Sequence, residues 1–160
     1  MKDLYLNNLL IAIPAFNEEE TITDIVEESS QYARVLVIDD GSEDNTGYLA
    51  QKSGATVINN FNNQGYQLSI KKGLDYFLIS DFEKIVFIDA DGEISVSDAI
   101  KLAKCVDIKT PIGFGKRNKL NRIMEIIISK YSKKRLKIDD PLCGCKCIHK
   151  SLLKVLNVEE

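Results

Sequence analysis

Short runs of apolar residues alternate along this chain with longer segments in which apolar positions recur every three or four residues. Compact, wholly apolar runs are typical of strands buried on both faces of a sheet. They predict strands at 9–13, 35–38, 56–58 and 85–88. Apolar residues at helical spacing predict helices at 21–33, 44–52 and 67–79.

This alternation predicts an α/β domain with a mostly parallel central sheet and helices on both of its faces. After Ser95 the pattern is less regular. The elements predicted there are a helix at 96–106, a short strand or turn at 112–115, a helix at 120–131, a strand at 143–148 and a helix at 151–156. A length of 160 residues, without repeat or linker, suits one domain spanning 1–160.

Polar side chains directly follow three of the predicted strands. Those after the first, second and fourth strands are Asn17 and Glu18, Asp39 and Asp40, and Asp89 and Asp91. In sheets of this kind the ligand lies beyond the carboxyl ends of the strands. The three strand ends therefore predict one site.

Asp89 and Asp91 are candidate metal ligands, because Gly92 allows a turn through which both carboxylates reach one cation. Mg²⁺ and Mn²⁺ take oxygen ligands and complete their shells with water and substrate phosphates. Glu93 is a candidate third ligand, directly or through water. The alternative is a solvated acidic turn, and the buried strand before it together with the other acidic strand ends favours the metal site.

Basic residues concentrate in the segment 116–137, which has nine basic side chains, one acidic side chain and a net charge of +8. The rest of the chain has 12 basic and 23 acidic side chains, a net charge of −11. The segment predicts contact with an anionic partner. Its amphipathic helix at 120–131 is expected either to lie on an anionic membrane surface or to pack on the sheet.

The apolar runs are too short to cross a bilayer, and the first residues are too acidic for a signal peptide. We therefore expect a cytoplasmic protein, with peripheral contact at the inner face of the membrane through 116–137. Nothing in the sequence predicts a nucleic-acid partner, and a homo-oligomer is compatible with it.

Cysteines and a histidine alternate near the end of the chain, at Cys143, Cys145, Cys147 and His149. On a strand such positions share one face and lie roughly 6.5–7 Å apart, which is too far for all four to hold one zinc ion. The sequence therefore predicts small buried side chains that pack the sheet rather than a zinc site.

Three blocks, at 13–18, 37–46 and 87–92, resemble the inverting family 2 glycosyltransferases of the GT-A fold in order and spacing. Gly65 and Gly73 resemble a glycine-containing stretch that this family has before the fourth strand. Within the family, the chain is similar to polyprenyl-phosphate (dolichyl-phosphate) sugar transferases. The segments that carry this second likeness are 115–117, similar to their G-x-R element, and 140–146, similar to their D-x-x-C/S-G-F-K/R element.

The resemblance implies a role for each matching position. The residues that would line the nucleotide pocket are Pro14, Ala15, Asn17 and Glu18. Asp39, with Asp40 beside it, would meet the base or ribose, Asp89 and Asp91 would bind Mg²⁺ or Mn²⁺, and Glu93 stands at a further ligand position. Arg117 would hold phosphate through bidentate contacts, and Lys146 would meet an acceptor or donor phosphate.

The implied reaction is inverting transfer of a sugar from a nucleotide-diphospho-sugar to an acceptor, in polysaccharide or cell-wall biosynthesis. A hydroxyl acceptor needs a base, for which Asp140 is the first candidate and Asp91 the second. A polyprenyl phosphate acceptor needs none, because it is already ionised.

Two alternatives remain. A sugar nucleotidyltransferase would share the fold class, but it usually has a glycine-rich, arginine-containing loop where this chain has 14–18. A non-catalytic nucleotide-sugar-binding or partner subunit is suggested by the short C-terminal part and by departures from the family pattern at 65–70. Tyr66 and Leu68 would narrow the pocket there or change the donor, and Cys145 stands where an aromatic residue is usual.

Overall fold

The structure, a computed structural model, describes residues 6–116, 133–134, 138–140 and 143–155. The strands are β1 (Leu9–Ala15), β2 (Arg34–Asp39), β3 (Thr56–Asn59), β4 (Lys84–Phe87), β5 (Ile112–Phe114) and β6 (Lys146–His149). The helices are α1 (Ile22–Ser30), α2 (Thr46–Lys52), α3 (Tyr66–Ile79), α4 (Val96–Cys105) and α5 (Lys150–Val155). None of the helices in these ranges is both long and apolar enough to cross a bilayer. The predicted helix at 120–131 lies outside the described residues.

The six strands form one sheet in the order β3-β2-β1-β4-β6-β5. The first four strands of the chain pair in parallel, and β6 runs antiparallel to both of its neighbours. The strands β2 and β3 follow one another on one side of β1, and β4 pairs with the other side of β1. This reversal between β1 and β4 opens a crevice at the carboxyl ends of the strands, where such folds bind ligands.

Two cores lie on the two faces of the sheet. Alternate residues of β1, such as Ile11 and Ile13, pack with α1, α2 and α4 on one face. The intervening residues, Leu10 and Ala12, pack with Phe77 of α3 and with α5 on the other. The predicted arrangement of helices on both faces of a mostly parallel sheet is confirmed.

The first strand is longer than predicted, because it continues through Pro14 to Ala15. The carbonyl of Ala12 accepts from Ile88 on the β4 side, whereas the carbonyl of Ala15 accepts from Asp40 on the β2 side. Backbone groups of alternate residues point to the same side of a strand, so the nitrogen of Pro14, like the carbonyl of Ala12, points to the β4 side. The pairing of β1 with β4 ends at Ala12, before Pro14 is reached. The missing N–H of proline therefore costs no ladder hydrogen bond.

Candidate active site

An open cavity of about 350 Å³ lies at the carboxyl ends of β1, β2 and β4. This volume falls within the range of small-molecule sites. The lining residues are Pro14, Ala15, Phe16, Glu18, Asp40, Asn63, Gly65, Tyr66, Ser69, Asp89, Ala90 and Asp91. The cavity therefore occupies the switch point between β1 and β4.

Six residues that the sequence predicted for the site line this one cavity. They are Pro14, Ala15, Glu18, Asp40, Asp89 and Asp91. The predicted site residues did not include Phe16, which directly follows β1, or Ser69 in the first turn of α3. Phe16 could have been found from the sequence, because residues that directly follow a parallel strand lie at the edge of the sheet where ligands bind. Tyr66 was expected at the pocket as a departure from the family pattern, and it does line the cavity.

The carboxylate of Asp89 is half-buried in the cavity wall and has a neighbour at each oxygen. The Tyr66 hydroxyl donates a hydrogen bond to Oδ1 at 3.1 Å. Oδ2 lies against the backbone of Gly144, so close that a side chain at position 144 would overlap the carboxylate. The position of Asp89 is therefore determined by two residues far from it in sequence.

The surroundings of Asp89 shift the pKa of its carboxyl in opposite directions. Burial raises the pKa of its carboxyl, and the Tyr66 hydrogen bond lowers it. The negative charges of Asp91 and Glu93 raise the pKa further, whereas Lys146 lowers it, and the net direction is upward. A bound cation would relieve this crowding of carboxylates.

Asp91 is exposed at the rim of the cavity, in the turn after β4. Its Oδ1 accepts the N–H of Glu93 at 2.9 Å, which closes the turn that Gly92 makes with a φ of 73°. Within the described ranges, no three histidine, cysteine, aspartate or glutamate side chains are arranged around one metal-sized space. Glu93 is thus not assembled with Asp89 and Asp91 into a three-carboxylate cluster, and its part as a ligand stays a prediction.

Lys146 lies on the antiparallel strand β6 and is not among the residues that line the cavity. In the register of β4 and β6 it pairs with Phe87, two residues before Asp89. Its charge lowers the pKa of Asp89. This pairing places a cationic side chain of the distant segment 143–149 beside the acidic end of β4.

Asp39 and Asn17 form hydrogen bonds with the loop that connects β2 and α2. Oδ1 of Asp39 accepts the N–H of Ser42 at 3.0 Å, and Oδ2 lies close over Gly47. Asn17 accepts the N–H of Glu43 at 2.9 Å and donates its own N–H to the Ser42 hydroxyl at 2.9 Å. Neither residue is among those that line the cavity. Their predicted contacts with the nucleotide stay predictions.

Asp40 fixes the loop that leads into α3. Its carboxylate accepts the side-chain N–H of Asn60 at 2.6 Å and the backbone N–H groups of Gln64 and Gly65 at 3.0 and 2.7 Å. Burial alone would raise the pKa of Asp40, but these hydrogen bonds outweigh it and lower the pKa. The predicted substrate ligand is therefore also a loop anchor on the cavity wall.

Replacing Asp40 with asparagine should lower the free energy of unfolding by about 1–3 kcal/mol, because an amide N–H₂ then faces buried donors. The pKa of Asp40 is lower in the folded protein than in the unfolded chain. The ionised carboxylate therefore contributes its full stabilisation above the pKa of the unfolded chain, and this stabilisation is lost as pH falls through the pKa of the folded protein. The difference from wild type should thus shrink below about pH 4. Urea unfolding at several pH values tests this, with exposed Asp81→Asn as control. Equal stabilities at neutral pH would contradict it.

Two predicted site residues remain. Asp140 is buried, with 2% of its surface exposed, and is not among the residues that line the cavity. Its part as a base stays a prediction. Arg117 lies outside the described residues.

The cysteine row packs the sheet. Cys143, Cys145 and Cys147 are buried in the larger core and form no disulfide. Burial raises the pKa of both the Cys145 and Cys147 thiols to about 12. Their burial in the core agrees with the predicted packing role.

Comparison with known proteins identifies the family. The sequence profile described as Glycosyl transferase family 2 matches residues 10–153. The chain belongs to glycosyl transferase family 2. The blocks at 13–18, 37–46 and 87–92 that suggested this family contribute the ends of β1, β2 and β4 around the cavity.

The names of two relatives refer to a polyprenol or to dolichyl phosphate. Polyprenol monophosphomannose synthase of Mycolicibacterium smegmatis is 29% identical over 117 residues, which cover 68% of this chain and 44% of that protein. Dolichyl-phosphate beta-glucosyltransferase of Mus musculus is 32% identical over 115 residues, which cover 60% of this chain and 35% of that protein. The chain thus spans less than half the length of these relatives.

A solved structure has the same fold. Glucosyl-3-phosphoglycerate synthase from Mycobacterium tuberculosis, in complex with Mn²⁺, uridine diphosphate and phosphoglyceric acid, matches with a TM-score of 0.73 and 20% identity. The match covers 92% of this chain and 57% of that one. This likeness confirms the predicted GT-A fold.

Proposed function

We propose that this protein transfers a sugar, with inversion, from a nucleotide-diphospho-sugar to a polyprenyl phosphate. The observation that carries the proposal is the convergence of Glu18, Asp89 and Asp91 on one cavity at the switch point of the sheet. Membership of glycosyl transferase family 2 supports the reaction class. The two relatives named for polyprenol and dolichyl phosphate support the acceptor.

The donor set fits a divalent cation of the Mg²⁺ or Mn²⁺ type. Asp89 and Asp91 supply oxygen atoms to the same cavity, and such ions commonly combine one or two carboxylates with water and substrate phosphates. The Mn²⁺ and uridine diphosphate in the solved synthase support the same ligand class here. When bound, the cation would neutralise charge that develops on the departing diphosphate.

The protein's own residues would orient the donor. Glu18 is held by its backbone N–H, which donates to the Thr46 hydroxyl at 2.8 Å, and by the Thr21 hydroxyl, which donates to its carboxylate at 3.0 Å. The side chain therefore has a fixed direction on the cavity wall. Lys146 contributes positive charge beside Asp89, where a phosphate group would gain from it.

The burial of Asp140 favours an acceptor that needs no base. A general base must come within hydrogen-bond distance of the proton that it removes. Asp140 is buried outside the cavity lining, and Asp91, the second candidate base, would be occupied by the cation. A lipid phosphate is already ionised and needs neither. A phosphate acceptor therefore fits the described geometry better than a sugar hydroxyl.

The basic segment 116–137 would bring the protein to an anionic membrane surface, where a polyprenyl phosphate resides. Two of its lysines are partly neutralised within the protein, because Lys116 and Lys133 pair with Asp139 at 3.2 and 2.9 Å. Lys134 is exposed, and the other basic residues of the segment lie outside the described residues. We include in this proposal that the protein acts there as a homo-oligomer, which light scattering tests.

A thermal-shift panel tests the donor. UDP-, GDP-, CDP- and dTDP-sugars are compared with and without Mn²⁺, because a ligand that binds only the native state raises its stability by RT ln(1 + [L]/Kd). At a hundredfold excess over Kd we expect about 2.7 kcal/mol, which is a shift of about 5–10 °C for a chain of this size. The shift should need both nucleotide and Mn²⁺, and no shift with any donor would contradict the proposal.

A transfer assay tests the acceptor and separates enzyme from binding subunit. The donor selected by the panel is offered polyprenyl phosphate, the matching polyprenol and a simple sugar. Product is expected from the polyprenyl phosphate alone. Donor binding without turnover on any acceptor would favour the non-catalytic alternative, and transfer to a hydroxyl would return attention to Asp140.

A further inference from the structure

We propose that Tyr66 is a positioning residue whose hydroxyl holds the Asp89 carboxylate in the orientation that a divalent cation requires. The inference rests on the proposed function in one respect, the binding of a cation at Asp89 and Asp91. Its basis is the contact between the Tyr66 hydroxyl and Asp89 Oδ1, at 3.1 Å across the cavity wall. A carboxylate that ligates a metal is itself commonly oriented by a hydrogen bond from a second residue.

The position of Tyr66 is determined by the backbone before it. Gly65 has a φ of 91°, a conformation that residues with a side chain rarely adopt, and its N–H donates to Asp40 at 2.7 Å. Tyr66 is then the first residue of α3, and its ring lies on the cavity wall. A continuous set of contacts thus runs from the end of β2, through Asp40 and Gly65, to the end of β4.

A phenol suits this task because it donates a hydrogen bond without adding charge. A lysine at the same place would compete electrostatically with a cation for Asp89. The hydroxyl can instead stabilise the ionised carboxylate beside the negative charges of Asp91 and Glu93, and leaves the net charge of the site unchanged. With Gly144 against the other oxygen, rotation of the carboxylate away from Tyr66 is restricted.

The test measures Mn²⁺ binding directly, by electron paramagnetic resonance of the free ion. Titrations use the nucleoside diphosphate that stabilises the wild type most. The proteins are wild type, Tyr66→Phe, Asp89→Asn and Tyr48→Phe, the last being a control on α2 with a tyrosine that is 65% exposed and outside the cavity. Melting temperatures without metal show whether each variant is folded.

We expect Tyr66→Phe to bind Mn²⁺ about tenfold more weakly, in the range seen when an outer-shell partner is lost. Its melting temperature without metal should match wild type, since a half-exposed hydroxyl is removed and the ring remains. Tyr48→Phe should bind as wild type does, and Asp89→Asn should lose binding. A merely structural tyrosine would change the melting temperature without a specific loss of Mn²⁺ affinity.

Two results would overturn the inference alone. If Tyr66→Phe binds Mn²⁺ as wild type does while Asp89→Asn does not, the hydroxyl has no positioning role and the proposed function stands. If Tyr66→Phe binds more tightly, the hydroxyl competes with the cation. Absence of Mn²⁺ binding to wild type, or unchanged binding by Asp89→Asn, would overturn both the inference and the metal-dependent reaction.

Discussion

Replacing Asp91 with asparagine is expected to slow sugar transfer by roughly 10²–10³-fold, the size of effect found when a group that stabilises developing charge is removed. The exposed carboxylate of Asp91 is one of two that face the cavity at the end of β4. Asparagine keeps the oxygen that accepts the Glu93 N–H, so the turn should persist while the charge is lost. Initial rates over a range of Mn²⁺ concentrations measure the effect.

The matched control for this variant is Asp107→Asn. Asp107 is also an exposed aspartate whose carboxylate accepts backbone N–H groups just ahead of it, from Lys109 and Thr110 at 2.8 Å. It lies outside the cavity lining. The control should retain wild-type activity, and both variants should unfold at nearly the wild-type temperature. If Asp91→Asn were as active as Asp107→Asn, the assignment of Asp91 to the reaction would be wrong.

The acidic end of β4 was predictable because its position follows from two local rules. A wholly apolar run predicts a buried parallel strand, and the residues after it must emerge at the carboxyl edge. The same rules placed Glu18 and Asp40 at that edge, and all of them line one cavity. This part of the site needed no knowledge of loop geometry.

The position of a residue at the end of a strand does not determine whether its side chain points to a ligand or back to its own chain. Asp39 and Asn17 also follow or end strands, yet both bond to the connection at Ser42 and Glu43. That choice depends on the turn conformation, which brings Ser42 N–H within 3.0 Å of the Asp39 carboxylate. Side-chain bonds of this kind compete locally with ligand contacts, so position at a strand end does not by itself say which of these side chains would meet a ligand.

Contacts between distant segments were the other part that the sequence could not predict. The strand β6 is antiparallel and enters the sheet beside β4, although residues 88–145 separate the two along the chain. Its register decides that Lys146 and Gly144 come to Asp89 rather than to another strand end. The sequence contained Gly144 within a family motif, but only the pairing of β4 with β6 reveals the close approach that requires glycine there.

That close approach leads to the second large expected effect. Gly144→Ala should abolish Mn²⁺ binding and slow transfer by at least about tenfold to a hundredfold, the range for loss of support to a metal ligand. The added methyl group would occupy the space of the Asp89 carboxylate. The aspartate must then leave its position and its hydrogen bond with Tyr66. Titration with Mn²⁺ and initial rates on the same preparation measure both effects.

Stability separates this displacement from general disruption. Overpacking costs typically about 1–3 kcal/mol, so Gly144→Ala should fold with a moderately lower melting temperature. Gly113→Ala is the control, since a methyl group there would press on Leu102 and Val106 at 2.8 and 2.9 Å, away from Asp89. The control should lose comparable stability but bind Mn²⁺ normally. Equal Mn²⁺ affinity in the two variants would show that Gly144 does not set the position of Asp89, because a short, half-buried carboxylate would then have found another productive orientation.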